Sequence, residues 1–420
     1  MRYLTLFLLS MFIFVLPNKS NAEDLISVKL VQHVGESSEI DFQVQGNYMT
    51  LDPMLDLEEG VKYRLEVDDG TMYLTTNEKG ERQKLNMPLI LYPQMYDNEH
   101  IIFINDRPYL GAIEFKIEDN QYIRPVNQLP LEDYLKGVVP FEVYPSWGIE
   151  TLKAQALAAR TYAISHMDDE DLNDTISYQV YGGYTWSDKA TTAVEETSGE
   201  VLTYNNKLID AFYSASNGGY TENNANVWGG KEMSYFPIKK DPYDPIEPWE
   251  FTLNETQINL DSVNWDRANW WDKAKEKNTE ITASIKKGLT KQGFTGDIKI
   301  ISIPSFELSN KKLPSKRSVQ GSISVEFMER LMEGTVLYHQ FVLENVNLNQ
   351  IRPLIGGSRF KSYFIDSLSF DGEKYRMEGR GYGHGVGMSQ WGAHYMAESG
   401  KTYKEILQFY YPNTSVKKIK

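Results

Sequence analysis

The sequence predicts an α+β protein rich in β-structure, with an all-β region at 23–120 followed by a larger mixed domain at 121–420. Residues 61–67 alternate apolar and charged side chains, as a half-buried strand does. Residues 147–166 instead show helical periodicity, and two short helices follow near the C-terminus. We expect a few short helices to line a groove in the mixed domain. A Pro- and Trp-rich stretch at about 241–300 is interpreted as an insertion.

The composition excludes several classes of partner and chemistry. The formal net charge is −15, from 43 Lys and Arg against 58 Asp and Glu. Nucleic acids and anionic membrane surfaces attract basic proteins, so this balance argues against both. The chain of 420 residues contains no cysteine. It therefore has no disulfide, and no thiolate can act as a nucleophile or a metal ligand.

Residues 1–22 have the pattern of a signal peptide. Arg2 precedes an apolar stretch at 3–16, and the small residues Ser20 and Ala22 have the spacing of a cleavage site. The alternative is an uncleaved anchor, but the stretch is shorter than the about 20 residues that span a bilayer. We therefore expect cleavage after Ala22 and export of the protein. An acidic, Tyr-rich composition is typical of exported proteins outside a Gram-positive cell.

Turn residues divide the N-terminal region into hairpins. The run DDG at 68–70 joins VKYRLEV to TMYLTT, and Asp119-Asn120 joins the two halves of GAIEFKIEDNQYIRPV. Both are turn sequences between alternating strands. A third hairpin turn is predicted at Asn205-Asn206, in the strand-rich part of the mixed domain.

Helices are predicted at three places in the mixed domain. LEDYLKGVV would form a short helix that ends before Pro140. The helix at 147–166 has a stripe of small and apolar residues that allows close packing. Near the C-terminus, a helix from about 388 to 398 precedes a second one, in which Thr402 and Glu405 form a capping box. The stripe of the long helix consists of Ile149, Leu152, Ala156, Ala159 and Ala163.

The segment GRGYGHGVGMSQWG, residues 379–392, has a glycine at every second position up to 387. In an extended chain this spacing leaves one face without side chains. Such a face admits a ligand or another backbone, so a groove floor and a tightly packed strand or bulge without a ligand are both open interpretations. The opposite face would carry Arg380, Tyr382, His384, Val386 and Met388.

Common catalytic motifs are missing from the sequence. The glycines fit neither a dinucleotide-binding nor a phosphate-binding loop, so nucleotide binding has no support. The 6 histidines include no H-E-x-x-H or other close ligand pair, and we predict no metal and no cofactor. A serine-hydrolase elbow is also missing, and Ser389 is placed to cap a helix.

One carboxylate stands out in VVPFEVYPSWGIE. Glu142 lies between Phe141 and Val143, and the flanking Pro140 and Pro145 restrict the backbone. Apolar neighbours would raise its pKa and let it act as a general acid near neutral pH. From the spacing alone, an exposed glutamate in a turn remains the plainer interpretation.

Four segments resemble the SpoIID/LytB family in sequence and in order. The match runs from about residue 121 to the C-terminus and is interrupted by the Trp-rich stretch. The segments are LEDYLKGVVPFEVYPSWGIETLKAQALAARTYA (131–163), YQVYGG (178–183), SASNGGYTENNANVW (214–228) and GRGYGHGVGMSQWGAHYMAESGKTYKEILQFYYPNT (379–414).

The resemblance implies cell-wall chemistry. The sporulation member of the family is a lytic transglycosylase that acts on glycan strands stripped of their peptides, and the LytB branch enhances an N-acetylmuramoyl-L-alanine amidase. The essential acid of the catalytic branch corresponds to Glu142. Some members hold zinc with Cys and His near the third segment. Because this chain has no Cys and SASNGG offers no His, we predict no zinc here.

A lytic transglycosylase can work with a single acid. Glu142 would protonate the oxygen between N-acetylmuramic acid and N-acetylglucosamine. Its carboxylate would then take the proton of the muramic 6-hydroxyl, which attacks its own anomeric carbon and gives a 1,6-anhydro end. The nucleophile is already attached to the substrate, so proximity replaces a positioned water.

Nine other residues are predicted to bind substrate. Aromatic rings would cover sugar faces, polar groups would bond hydroxyls or the N-acetyl group, and Lys153 or Arg160 would meet the muramic carboxylate. Each also has a structural interpretation. The set is Lys153, Gln155, Arg160, Tyr213, Tyr382, His384, Ser389, Gln390 and Trp391.

Three functions remain open from the sequence. The first is an enzyme that cuts glycan in wall remodelling or sporulation, which Glu142 favours. The second is a non-catalytic, glycan-binding enhancer of an amidase, which the N-terminal region and the insertion favour, since added modules recruit partners. The third is a carbohydrate-binding protein with an inactive site. The expected partners are peptidoglycan glycan strands and a cell-wall amidase, and the expected location is secreted and cell-wall associated.

Overall fold

The structure is a computed structural model that describes residues 25–52, 55–76, 80, 82–85 and 88–419. The predicted signal peptide at 1–22 lies outside the described residues. The described chain forms two compact units, one of residues 25–30 and 36–134 and one of residues 31–35 and 135–419. The combination of many strands with helices confirms the predicted β-rich α+β class.

The first unit is a sandwich of two antiparallel sheets. Phe42 of the second sheet has its ring centroid 5.4 Å from that of Phe115 in the first, so buried aromatic rings join the two layers. The first sheet has the order β1 (Leu25–Lys29), β11 (Tyr122–Pro130), β10 (Ala112–Glu118), β7 (Leu89–Pro93), β3 (Tyr48–Thr50). The second has the order β6 (Arg82–Lys84), β5 (Thr71–Thr76), β4 (Lys62–Asp68), β2 (Glu39–Gln45), β8 (Ile101–Ile104), β9 (Arg107–Tyr109).

All three predicted hairpin turns are confirmed. Asp69 and Gly70 join β4 to β5, and Asp119 and Asn120 join β10 to β11. The paired turn residues have positive φ, from 46° to 67°, as two-residue hairpin loops require. The turn at Asn205-Asn206 has φ values of 51° and 64°.

The second unit contains the remaining helices and strands. The helices are α1 (Leu131–Glu142, which begins at the end of the first unit), α2 (Ile149–His166), α3 (Asp188–Glu196), α4 (Asn224–Trp228), α5 (Trp270–Lys273), α6 (Thr279–Lys291), α7 (Leu348–Ile355), α8 (Gln390–Glu398) and α9 (Tyr403–Tyr410). The strands are β12 (Glu200–Tyr204), β13 (Lys207–Leu208), β14 (Tyr213–Ser214), β15 (Pro248–Asn254), β16 (Asp297–Leu308), β17 (Gln320–Arg330), β18 (Val336–Asn347), β19 (Ile365–Phe370), β20 (Lys374–Arg380), β21 (Met388–Ser389) and β22 (Ser415–Lys418).

Helix α2 forms the centre of the core that positions the candidate site. Its Ala154, Leu157 and Ala158 are fully buried against Met388 and residues of α8 and α9. Small side chains on α2 let these neighbours approach closely, but the three residues that make these contacts are not those of the predicted stripe. The capping box of α9, in which Thr402 and Glu405 exchange hydrogen bonds, is confirmed.

Helix α1 does not end before Pro140, so that prediction is wrong. The helix continues through Pro140 to Glu142, and the Val143 N–H still donates to the Val139 carbonyl at 3.1 Å. Proline removes its own N–H bond and its ring crowds the carbonyl four residues earlier, yet the bond from Val143 keeps the last turn helical. Glu142 therefore lies at the end of a helix and not in a free turn.

A second core lies between two three-stranded sheets and two helices. The sheets have the orders β15-β20-β19 and β16-β17-β18, and α6 and α7 pack against them. The segment 241–300, predicted as an insertion, shares this core with later strands, since Phe251 and Ile285 pack with Phe327 and Met377. The boundaries of the insertion stay a prediction. Among the described residues, no helix is both long and apolar enough to span a membrane.

Candidate functional site

Glu142 is half-buried at the C-terminus of α1, and both of its carboxylate oxygens face donors. Oε1 accepts a hydrogen bond of 2.7 Å from the N–H of Val180, and Oε2 lies 3.4 Å from Nε2 of Gln390. Burial raises the pKa of Glu142 to about 7, and the two donors oppose that rise by stabilising the charged form. Near neutral pH the group therefore exists in both protonation states.

A pair of glycines places the N–H of Val180. The Gly182 N–H donates to the Gly137 carbonyl at 2.9 Å, and the ring of Phe141 lies directly on Gly182. A Cβ on Gly182 would collide with that ring, and one on Gly137 would lie 2.6 Å from the carbonyl of Gly183. A side chain at either position would force its neighbours to shift, so the two glycines let the segment 178–183 lie against α1.

Gln390 is positioned by the start of helix α8. The hydroxyl of Ser389 accepts from the Gly392 N–H at 3.0 Å, which confirms its predicted capping role. The same hydroxyl donates to Oδ2 of Asp244 at 2.7 Å. Nε2 of Gln390 also lies 3.5 Å from Oε1 of Gln155, which is fully buried. The structure thus brings together three of the predicted residues, namely Glu142, Gln155 and Gln390.

Asp244 is a site residue that the sequence analysis missed. Its carboxylate is buried and accepts four bonds, two at each oxygen. The donors are the Ser216 hydroxyl, the Ile246 N–H, the Asn217 N–H and the Ser389 hydroxyl. The signal in the sequence is DPYDP, which contains two aspartates, each followed by proline. The sequence alone assigns this run only to the Pro-rich start of the insertion.

The glycine-rich run is not extended, so the prediction of a strand through 379–387 is wrong. Strand β20 ends at Arg380, and Gly381, Gly383, Gly385 and Gly387 all have positive φ, between 73° and 107°. Only glycine adopts this conformation at low cost. The alternation of faces therefore does not apply.

The space beside these glycines is occupied by the protein itself. A Cβ on Gly381 would lie 3.0 Å from the Ser216 carbonyl, and one on Gly385 would collide with the guanidinium of Arg317. That guanidinium is buried and donates to the carbonyls of Asn217 and Tyr220. The close packing of the chain, and not an open groove floor, accounts for the glycines.

Lys153 and Arg160 lie on the face of α2 opposite Gln155. Each residue of an α-helix is rotated by 100° from the one before it, so positions 153 and 160 point away from position 155. Lys153 pairs with Glu196 at 2.6 Å. Arg160 is fully buried and donates to the carbonyls of Val194 and Glu200 and to the Thr197 hydroxyl. The structure therefore does not bring these two cations to Glu142.

Tyr213 and His384 lie near the segment that holds Val180. The Tyr213 hydroxyl accepts a 2.8 Å bond from Gln179. Nδ1 of His384 accepts from the Val386 N–H at 3.0 Å. Burial, followed by the charge of Arg317, lowers the pKa of His384 to about 4, so the ring is neutral.

Tyr382 and Trp391 present aromatic rings at the surface. Tyr382 is exposed, and Nζ of Lys361 lies 5.4 Å from its ring centroid. Trp391 follows Gln390 and contacts the rings of Tyr144 and Tyr395 at centroid distances of 6.0 and 6.1 Å. Trp391 thus follows Gln390 in the chain and contacts rings that are exposed at the surface.

The third family-like segment does not fit a zinc ion. Ser214, Ser216 and Asn217 offer hydroxyl and amide groups in place of thiolate and imidazole, and these groups bond the Gly385 N–H and the carboxylates of Asp244 and Asp241. Within the described ranges, no group of three His, Cys, Asp or Glu side chains is arranged to hold a metal.

Comparisons with known proteins match most of this chain. A family model described as "SpoIID: Stage II sporulation protein" matches residues 119–204. The amidase enhancer of Bacillus subtilis is 37% identical over 387 residues, which is 91% of this chain and 53% of the relative, so the chain spans about half of that protein. An uncharacterized protein of Brachyspira hyodysenteriae is 31% identical, covering 77% of this chain and 76% of the relative. Stage II sporulation protein D of Bacillus subtilis is 28% identical, covering 69% and 75%.

Proposed function

The chain belongs to the SpoIID/LytB family, and on this premise we propose that it is a peptidoglycan lytic transglycosylase with Glu142 as its single acid. Family membership supports a cell-wall function. The observation that carries the finer proposal is the Glu142 carboxyl, whose pKa of about 7 leaves it partly protonated at neutral pH. A general acid works best when its pKa lies near the working pH.

The two donors support both halves of the reaction. In the first step the protonated Glu142 gives its proton to the glycosidic oxygen as the bond to the muramic anomeric carbon breaks. The carboxylate that remains is stabilised by the N–H of Val180 at Oε1 and by Gln390 at Oε2. In the second step it takes the proton of the 6-hydroxyl, whose oxygen bonds to the anomeric carbon, and Glu142 is protonated again.

The proposed reaction needs one carboxylate. Hydrolases that use two carboxylates place them about 5–10 Å apart across the scissile bond. An intramolecular nucleophile needs no second base, because the same carboxylate accepts its proton.

Digestion of purified glycan strands, with and without stem peptides, tests this proposal. The wild type should produce 1,6-anhydro-muramic ends that mass spectrometry detects, most readily on peptide-free strands. Glu142→Gln should abolish them, whereas Glu333→Gln, which changes an exposed glutamate of the same unit, should not. Intact strands after incubation with the folded wild type would refute the proposal.

A second candidate function is the enhancement of a cell-wall amidase. It is favoured by the relative named as an amidase enhancer, whose similarity extends over 91% of this chain and so includes the first unit. Under this alternative, the wild type would leave glycan intact but would accelerate peptide release when a purified amidase is added. Glu142→Gln would then accelerate release as much as the wild type does.

A further inference from the structure

Trp228 is a large aromatic residue that remains 52% exposed although its surroundings hold it firmly. It is the last residue of α4, which is capped by Asn223, whose side chain accepts from the Ala225 N–H at 2.8 Å. Asn223 also donates to the Phe236 carbonyl, and Asn224 donates to that of Lys231. The backbone that carries this exposed indole is thus held in place by side-chain hydrogen bonds.

Trp228 rests on other rings that leave its outer face to the solvent. Its ring centroid lies 4.5 Å from that of Phe212 and 5.0 Å from that of His384. His384 is uncharged, as described above, so all three rings are neutral. A flat neutral ring that is backed by others suits the apolar face of a sugar.

A series of rings leads from Trp228 towards the acid. The ring of Phe212 lies 6.0 Å from that of Tyr162, and Tyr162 stacks on His166 at 4.1 Å. Tyr162 is close enough to Glu142 for the carboxylate charge to contribute to the raised pKa of its phenol, after the larger effect of burial. Successive ring contacts, which pass through the buried Tyr162, therefore connect Trp228 to the surroundings of Glu142.

A separate group of rings is connected to Oε2 of Glu142 through Gln390. Gln390, which faces Oε2, is followed by Trp391, and Trp391 contacts Tyr144 and Tyr395, which are 60% and 40% exposed. The rings around Trp228 are instead connected to Oε1. Tyr213, which follows Phe212 in the chain, bonds Gln179, and Gln179 precedes Val180, whose N–H donates to Oε1. Each oxygen of Glu142 is thus linked, through its own donor, to a different group of aromatic residues.

We propose that Trp228, backed by Phe212 and His384, is a second saccharide-binding subsite, and that a glycan strand contacts both groups of aromatic residues with Glu142 between them. This inference rests on the proposed function, since it takes glycan as the ligand. Its consequence is that the protein cuts within a strand and does not remove units from a strand end.

The subsite is tested by binding, separately from cleavage. Peptide-free glycan strands are titrated into the Glu142→Gln protein, which keeps the site but lacks the acid. Adding Trp228→Ala should weaken binding about tenfold, the loss of one aromatic contact, and Trp228→Phe should restore most of it. Trp265→Ala is the matched control, because Trp265 is 49% exposed in the same unit and contacts the ring of Trp270.

The outcomes separate the two proposals. Unchanged binding by Trp228→Ala, or an equal loss for Trp265→Ala, overturns the subsite even if the wild type makes anhydro ends. Weaker binding by Trp228→Ala together with intact glycan in the wild-type digest keeps the subsite and overturns the enzyme. Early digestion products should be long strands of mixed length, and a steady release of single terminal units overturns internal cutting.

Discussion

Nε2 of Gln390 lies 3.4 Å from Oε2 of Glu142, although 248 residues separate the two in the chain. The contact joins the end of α1 to the start of α8. It places an amide donor where a negative charge forms once the acid has released its proton. The first two predictions concern this pair.

Glu142→Gln should stabilise the protein at alkaline pH. The folded pKa of about 7 is above the ordinary 4.5, so the folded state binds the proton more tightly than the unfolded state does. Stability is therefore greatest below the unfolded pKa and falls as the pH rises towards about 7. Thermal unfolding should show a gain for Glu142→Gln of roughly 3 kcal/mol at about pH 8 relative to about pH 4. An equal effect at both pH values would contradict the raised pKa.

Gln390→Ala should raise the pKa of Glu142 further, because the lost amide stabilised the charged carboxylate. In glycan cleavage the protonated acid is the active form, so the rate should fall as the pH rises through the Glu142 pKa. In the pH–rate profile of Gln390→Ala, this fall in rate should shift to a higher pH by about half a pH unit. The control is Gln340→Ala, an exposed glutamine of β18, which should leave the fall in rate at the same pH.

Ser389 and Asp244 should show coupled effects on stability, because their side chains bond each other at 2.7 Å. Ser389→Ala should cost about 1 kcal/mol through loss of the cap. Asp244→Asn should cost about 1–3 kcal/mol, since an amide NH₂ cannot accept the bonds that one oxygen now accepts.

Urea unfolding of the double variant checks this coupling. The cost of the two changes together should be less than the sum of the single costs. Thr402→Ala removes the comparable cap of α9, which bonds Glu405 and not Asp244, and should be additive with Asp244→Asn. If the stability costs of Ser389→Ala and Asp244→Asn simply add, the two side chains are not energetically coupled.

Gly385→Ala should be much more destabilising than Gly400→Ala. Both glycines have positive φ, 75° and 88°, so both substitutions carry the cost of a left-handed alanine, about 1 kcal/mol. At Gly385 the new methyl group would also meet the guanidinium of Arg317, whereas the space around Gly400 is open. We expect a loss of about 2–4 kcal/mol at Gly385 against about 1 at Gly400, measured by chemical unfolding. Equal losses would mean that Arg317 moves aside without cost.

The features that could be predicted from the sequence are those set by nearby residues. The Asp119-Asn120 turn and the Thr402 capping box each depend on two to four consecutive positions, and both are confirmed. Glu142 was selected by family resemblance, because its spacing alone does not distinguish it from an exposed glutamate.

The features that could not be predicted depend on distant partners. The N–H of Val180 is 38 residues from Glu142, and Asp244 is 145 residues from Ser389. No local pattern specifies such contacts. The glycine run was misjudged for the same reason, since its alternation matches a strand, whereas its conformation is set by Arg317 and the Ser216 carbonyl.

The donor to Oε1 of Glu142 belongs to the main chain of residue 180. Any amino acid other than proline supplies that same N–H, so exchange of the valine side chain leaves the bond in place. The bond to Oε1 therefore depends on the backbone at position 180 and not on the side chain there, whereas a side chain at Gly137 would collide with the carbonyl of Gly183. A designer can thus change the side chain at position 180 without altering Glu142 or its main-chain donor.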